Sequence, residues 1–86
     1  MIQDKKVFLV RAVLGTMHNI KYEERELLSK RLRGTISSLN KLNNNSMVIS
    51  LLANFRSQLS VVSKEEFDFA LNFNKELIYG SLSLKH

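Results

Sequence analysis

Catalysis needs a nucleophile, an acid, a base or a metal ligand at workable spacing, and this chain supplies few. Its two histidines are His18 and His86. His18 falls at the end of the first helical stretch, where the helix dipole favours a cationic side chain. Serines are plentiful, but no spacing pairs one with His18 as a nucleophile. Glu65, Glu66 and Asp68 form an acidic cluster. Paired carboxylates do acid–base work only across a cleft, and four short helices seldom build one. The simpler role for this cluster is to complement the positive end of a helix dipole. Cysteine is absent, which excludes a disulfide framework and a thiolate metal site. The three glycines are isolated, so no phosphate-cradling loop is present. The expectation is a non-enzymatic protein with no cofactor and no metal.

Two sets of residues are suited to binding instead. The first is basic. Lys30, Arg33, Ser37 and Lys41 fall on the side of a helix opposite its leucine stripe, so Lys30, Arg33 and Lys41 suit contact with a phosphate backbone. Glu23 and Glu26 are expected on the same side and dilute the field. A helix-turn-helix built from the last two helices is disfavoured, because its reading helix would begin with Lys64-Glu65-Glu66 and carry Asp68, placing acids where phosphate approaches.

The second set is apolar. At 100° per residue, Phe67, Leu71 and Ile78 share one direction, with Ala70 and Leu77 beside them and Phe73 and Phe69 continuing outward. The arc is about 200° wide, where a surface helix needs little more than about 100°. The first helix is also broad, about 160° from Leu9 through Val13 to Val7. Two readings follow. Either these helices are central and covered on two sides, or Phe69, Phe73 and Leu77 form an aromatic surface for a protein partner or a second copy.

The elements that position these residues are helical. Asp4 is expected to cap a first helix over 4–17, although the valine-rich run 5–13 also fits a buried strand. The spacing of Val10, Val13, Leu14 and Met17 favours the helix. Asn19 suits the N-cap of a second helix over 20–42, with Leu28, Leu32, Thr35, Ile36, Leu39 and Leu42 as its stripe and Gly34 as its weak point. Glu26 and Lys30 have the spacing of a favourable ion pair. Asn43-Asn44-Asn45-Ser46 reads as a turn. A third helix over 47–61 carries Val48, Leu51, Leu52, Phe55, Leu59 and Val62 on one face. Ser63 followed by Glu66 is a capping box that opens a fourth helix over 64–79. Gly80 is expected as its C′ residue, followed by a frayed tail over 81–86.

The chain has 86 residues and no proline. It is 44% hydrophobic and 24% charged, which is a globular balance rather than a disordered one. Together the patterns predict one domain, all-α, a small three- to four-helix bundle. The net charge of +5 admits nucleic acid, an acidic protein or an anionic membrane surface as partner. Lys5, Lys6 and Arg11 flank apolar residues of the first helix, which makes membrane-surface attachment a third option, weaker than a protein or nucleic-acid partner. Arg11 interrupts the apolar run that follows Lys5-Lys6, and no small-residue cleavage site follows, so no signal peptide is read there. A cytoplasmic location is expected. The asparagine, lysine and isoleucine usage is compatible with an AT-rich bacterium or phage. The functional expectation is a small regulator or inhibitor that acts by direct protein binding, with a basic nucleic-acid-binding regulator as the alternative.

Overall fold

The computed structural model describes residues 2–42 and 47–82, the side chains of 2 and 3 excepted. The asparagine-rich turn over 43–46, His86 and the tail beyond 82 lie outside the described residues. Four helices pack against one another: α1 (Ile2–His18), α2 (Arg25–Lys41), α3 (Met47–Leu59) and α4 (Lys64–Ser81), with a short 3₁₀ turn at Tyr22–Glu24 before α2. Among the described residues there is no strand, so the valine-rich 5–13 segment is helical.

The reason is in the spacing. Val10, Val13, Leu14 and Met17 fall on one helical face and are all buried. A strand would split them between two faces. The other helices follow the same logic: Leu28, Leu32 and Leu39 from α2, Val48, Leu52, Phe55 and Leu59 from α3, and Phe67, Leu71 and Ile78 from α4 complete one core. Each fully buried side chain of this size contributes about 1.5–3 kcal/mol relative to exposure.

The helix ends differ from expectation, and each difference has a local cause. α1 begins at Ile2, so Asp4 lies within the first turn instead of capping it. Nothing in Ile2-Gln3 blocks propagation, and the carboxylate is still favourable in a first turn. α2 does not start from an Asn19 cap. The chain is extended at Lys21 (φ −99°, ψ 156°) and then closes the 3₁₀ turn. The Glu24 N–H donates to the Lys21 carbonyl (2.8 Å), and the Lys21 N–H donates to Glu24 Oε1 (2.9 Å). Ile20 and Tyr22 pack against the core here, which sets the chain path ahead of Asn19's capping preference.

α3 stops at Leu59 rather than 61. The Ser60 hydroxyl donates to the Ser57 carbonyl (2.8 Å), and the N–H groups of Val61 and Val62 both donate to the Gln58 carbonyl. α4 begins where the capping box places it: Glu66 N–H donates to Ser63 Oγ (3.2 Å), and Ser63 N–H donates to Glu66 Oε1 (3.3 Å). It runs on through Gly80, whose backbone is not left-handed, to Ser81. Gly80 is therefore a helical residue and not the C′ terminator. Leu82 packs against the core, and its N–H bonds the carbonyls of Ile78 and Tyr79, which draws the helix past the glycine.

The broad arcs of α1 and α4 do not make them the central helices. α2 holds that place, lying along both α1 and α3; α4 packs mainly on α3 and more lightly on α1. α2 and α3 run antiparallel, since Ser29 near the start of one bonds Arg56 near the end of the other.

Candidate functional site

The rotation of α4 is fixed from its first turns. The capping box places Lys64 at the start, and Phe67 then turns inward. Its ring meets Tyr22 edge to face, with centroids 5.6 Å apart and planes at 85°. With Phe67 held inward, the helical repeat carries Phe69 and Phe73 outward. Phe69 is 74% exposed, Phe73 52% and Leu77 38%. The two phenylalanine rings stack on each other, 6.0 Å between centroids and 10° between planes.

This ridge borders a groove of about 400 Å³ between the end of α3 and the start of α4. Val61, Val62, Phe69 and Ala70 line it together with Gln58 and the carboxylates of Glu65 and Glu66. Val61 is 81% exposed. The side of α4 that faces solvent therefore combines aromatic and aliphatic surface with acidic groups, Glu65, Glu66 and Glu76, on a chain whose net charge is positive. A covering of α4 by neighbours within the chain does not account for this surface. The same holds for Phe8, which is 70% exposed on the outer side of α1 near exposed Lys5 and Arg11.

Lys30, Arg33 and Lys41 are all exposed on α2, opposite the buried leucines. Glu26 and Lys30 do not form the ion pair their spacing allows. Among the described residues the one pair within 4.0 Å joins Lys64 Nζ and Glu23 Oε2, at 3.7 Å. Glu23 thus belongs to the junction with α4 and not to the basic side of α2, because the 3₁₀ turn removes it from the helical register.

The residues considered for catalysis are dispersed. His18, Glu65, Glu66 and Asp68 are exposed. Among the described residues no group of three or more His, Cys, Asp or Glu could hold a metal ion, and no helix is long and apolar enough to cross a membrane.

Two polar features escaped the sequence reading. Asn74 is 1% exposed, inside the apolar arc of α4, and its Nδ2 donates to Gln58 Oε1 (3.0 Å) and to the Ala70 carbonyl (2.8 Å). Its signal was available, since it is a lone polar residue between Phe67 and Ala70 on the helical projection. Arg25 and Arg56 come from different helices to line one cleft with Ser29 and Ser60. No spacing within either helix announces that meeting. No protein-family model, curated protein or solved structure matches the chain.

Proposed function

We propose that this chain is a small cytoplasmic regulator or inhibitor that acts by direct binding to another protein, with Phe69, Phe73 and Leu77 as its contact ridge. The observation that carries the reading is the stacked and solvent-exposed Phe69–Phe73 pair beside an apolar groove. Exposed aromatic clusters of this kind supply a large share of binding energy at protein interfaces. Glu65, Glu66 and Glu76 point to an apolar partner segment flanked by basic residues, since complementary charge speeds encounter and rejects acidic competitors. Two copies joined ridge to ridge would bring like carboxylates together, so a foreign partner fits better than a symmetric dimer.

The test is the double substitution Phe69→Ser and Phe73→Ser. Light scattering across a concentration series and quantitative pull-down from a host lysate compare it with the parent chain. Loss of specific capture by a folded variant supports the reading, and unchanged assembly and capture sink it.

A second reading is a nucleic-acid-binding regulator that uses Lys30, Arg33 and Lys41. It rests on their exposure without a carboxylate within 4.0 Å among the described residues. Binding to duplex or single-stranded nucleic acid at low salt that disappears on charge reversal of all three would favour it.

A further inference from the structure

We propose that Arg25 and Arg56 form a binding site for a terminal phosphate-type oxyanion, in the cleft between the start of α2 and the end of α3. The cleft encloses about 340 Å³ and is lined by Arg25, Glu26, Ser29, Arg56, Leu59 and Ser60. Both arginines are half-buried, and among the described residues each guanidinium hydrogen-bonds the protein through Nε alone. Arg25 Nε donates to the Tyr22 carbonyl (3.0 Å), and its guanidinium carbon lies 3.9 Å from the Tyr22 ring centroid. Arg56 Nε donates to the Ser29 carbonyl (3.2 Å) and to Ser29 Oγ (3.1 Å).

This tethering holds the guanidinium planes and leaves their Nη groups without a protein acceptor among the described residues. Among the described residues neither guanidinium has a carboxylate within 4.0 Å, Glu26 included. Ser29 Oγ accepts from Arg56 and so keeps its own proton to donate. Ser60 Oγ is already engaged, donating to the Ser57 carbonyl. Two like-charged forks that share one cleft repel each other, and an anion between them relieves that repulsion. Arginine is the side chain best shaped for two-point contact with phosphate, and tethering lowers the ordering cost on binding. The many Nη–H donors call for several acceptor oxygens. Inorganic phosphate presents four terminal oxygens and a phosphomonoester three, whereas a phosphodiester presents two.

The site is independent of the α4 ridge, so its failure leaves the protein-binding proposal untouched. The experiment is a ¹H–¹⁵N titration of the whole chain with inorganic phosphate, methyl phosphate and dimethyl phosphate, at fixed ionic strength maintained with sodium chloride. Saturable shifts in the millimolar range at the amides of Ser29 and Ser60 and at the Nε–H of Arg25 and Arg56 are expected for the first two probes. Binding by both identifies a phosphomonoester-bearing ligand, and binding by inorganic phosphate alone identifies free phosphate. Either supports the site. Arg25→Gln, which leaves the Arg56–Ser29 contact between helices in place, is expected to weaken binding about tenfold, with spectral changes in the free protein confined to the surroundings of Arg25 and Tyr22. Arg56→Lys keeps the charge and loses the fork, and is expected to weaken binding as well. Shifts that do not saturate, equal response to dimethyl phosphate, or unchanged affinity in folded Arg25→Gln overturns the proposal.

Discussion

Asn74 Nδ2 on α4 lies 3.0 Å from Gln58 Oε1 on α3, and this hydrogen bond couples the two helices at the edge of an otherwise apolar core. The second Nδ2 proton of Asn74 goes to the Ala70 carbonyl, so the buried amide donor is fully used. Removing Gln58 leaves the buried Asn74 amide short of a bond, and removing Asn74 leaves the half-buried Gln58 oxygen without its partner, at a cost of about 1–3 kcal/mol. Asn74→Ala and Gln58→Ala are each expected to lower unfolding free energy in urea by that order. The double variant is expected to lose less than the sum, with a coupling of about 1 kcal/mol. Strict additivity would mean that the bond contributes nothing.

Phe67 and Phe69 are two residues apart and are expected to behave oppositely. Phe67 is buried against Tyr22, so Phe67→Ala is expected to cost about 3–5 kcal/mol. Phe69 is exposed, and Phe69→Ser is expected to change stability by about 0.5 kcal/mol at most, the scale of a surface substitution. Thermal melts of the two variants check this. A large loss on Phe69→Ser would mean that the ridge is structural.

Gly34 lies inside α2, and a β-carbon built there meets no atom within 4 Å. Gly34→Ala removes the helix penalty of glycine without a clash. It is expected to stabilise the chain by about 1 kcal/mol. In a domain of this size that raises Tm by about 4–8 °C, measured by calorimetry. A fall in Tm would show that α2 needs the glycine.

Ser63 is the cap of α4, with bonds to Glu66 in both directions. Ser63→Ala is expected to cost about 1 kcal/mol, and Ser63→Asp to restore most of it. Hydrogen exchange is expected to rise first at the amides of 64–67. Uniform exchange across α4 would place the helix start under tertiary control instead.

The basic side of α2 gives a salt-dependent prediction. If Lys30, Arg33 and Lys41 bind nucleic acid, affinity falls as salt rises, and each lysine or arginine removed lowers the slope of log affinity against log salt by about 0.7–0.9. A flat salt dependence excludes that role.

What the sequence determined by itself is local. Helical spacing of Val10, Val13, Leu14 and Met17 settled the first element, and the leucines of α2 and the Val48–Leu59 set declared their inward sides. The Ser63–Glu66 box located the start of α4 to the residue, because both partners lie within one turn. The outward path of Phe69 and Phe73 was also legible, being an angle along one helix. What only the tertiary structure decided depends on residues distant in the chain. Tyr22 docking on Phe67 moved the start of α2, and Leu82 packing carried α4 past Gly80. The Gln58–Asn74 bond spans 16 positions, and the Ser29–Arg56 bond that builds the arginine cleft spans 27. Periodicity reports which side of a helix is apolar, but not which helix covers it. The central place of α2, the exposure of the α4 ridge and the meeting of Arg25 with Arg56 were therefore set by how the four helices pack.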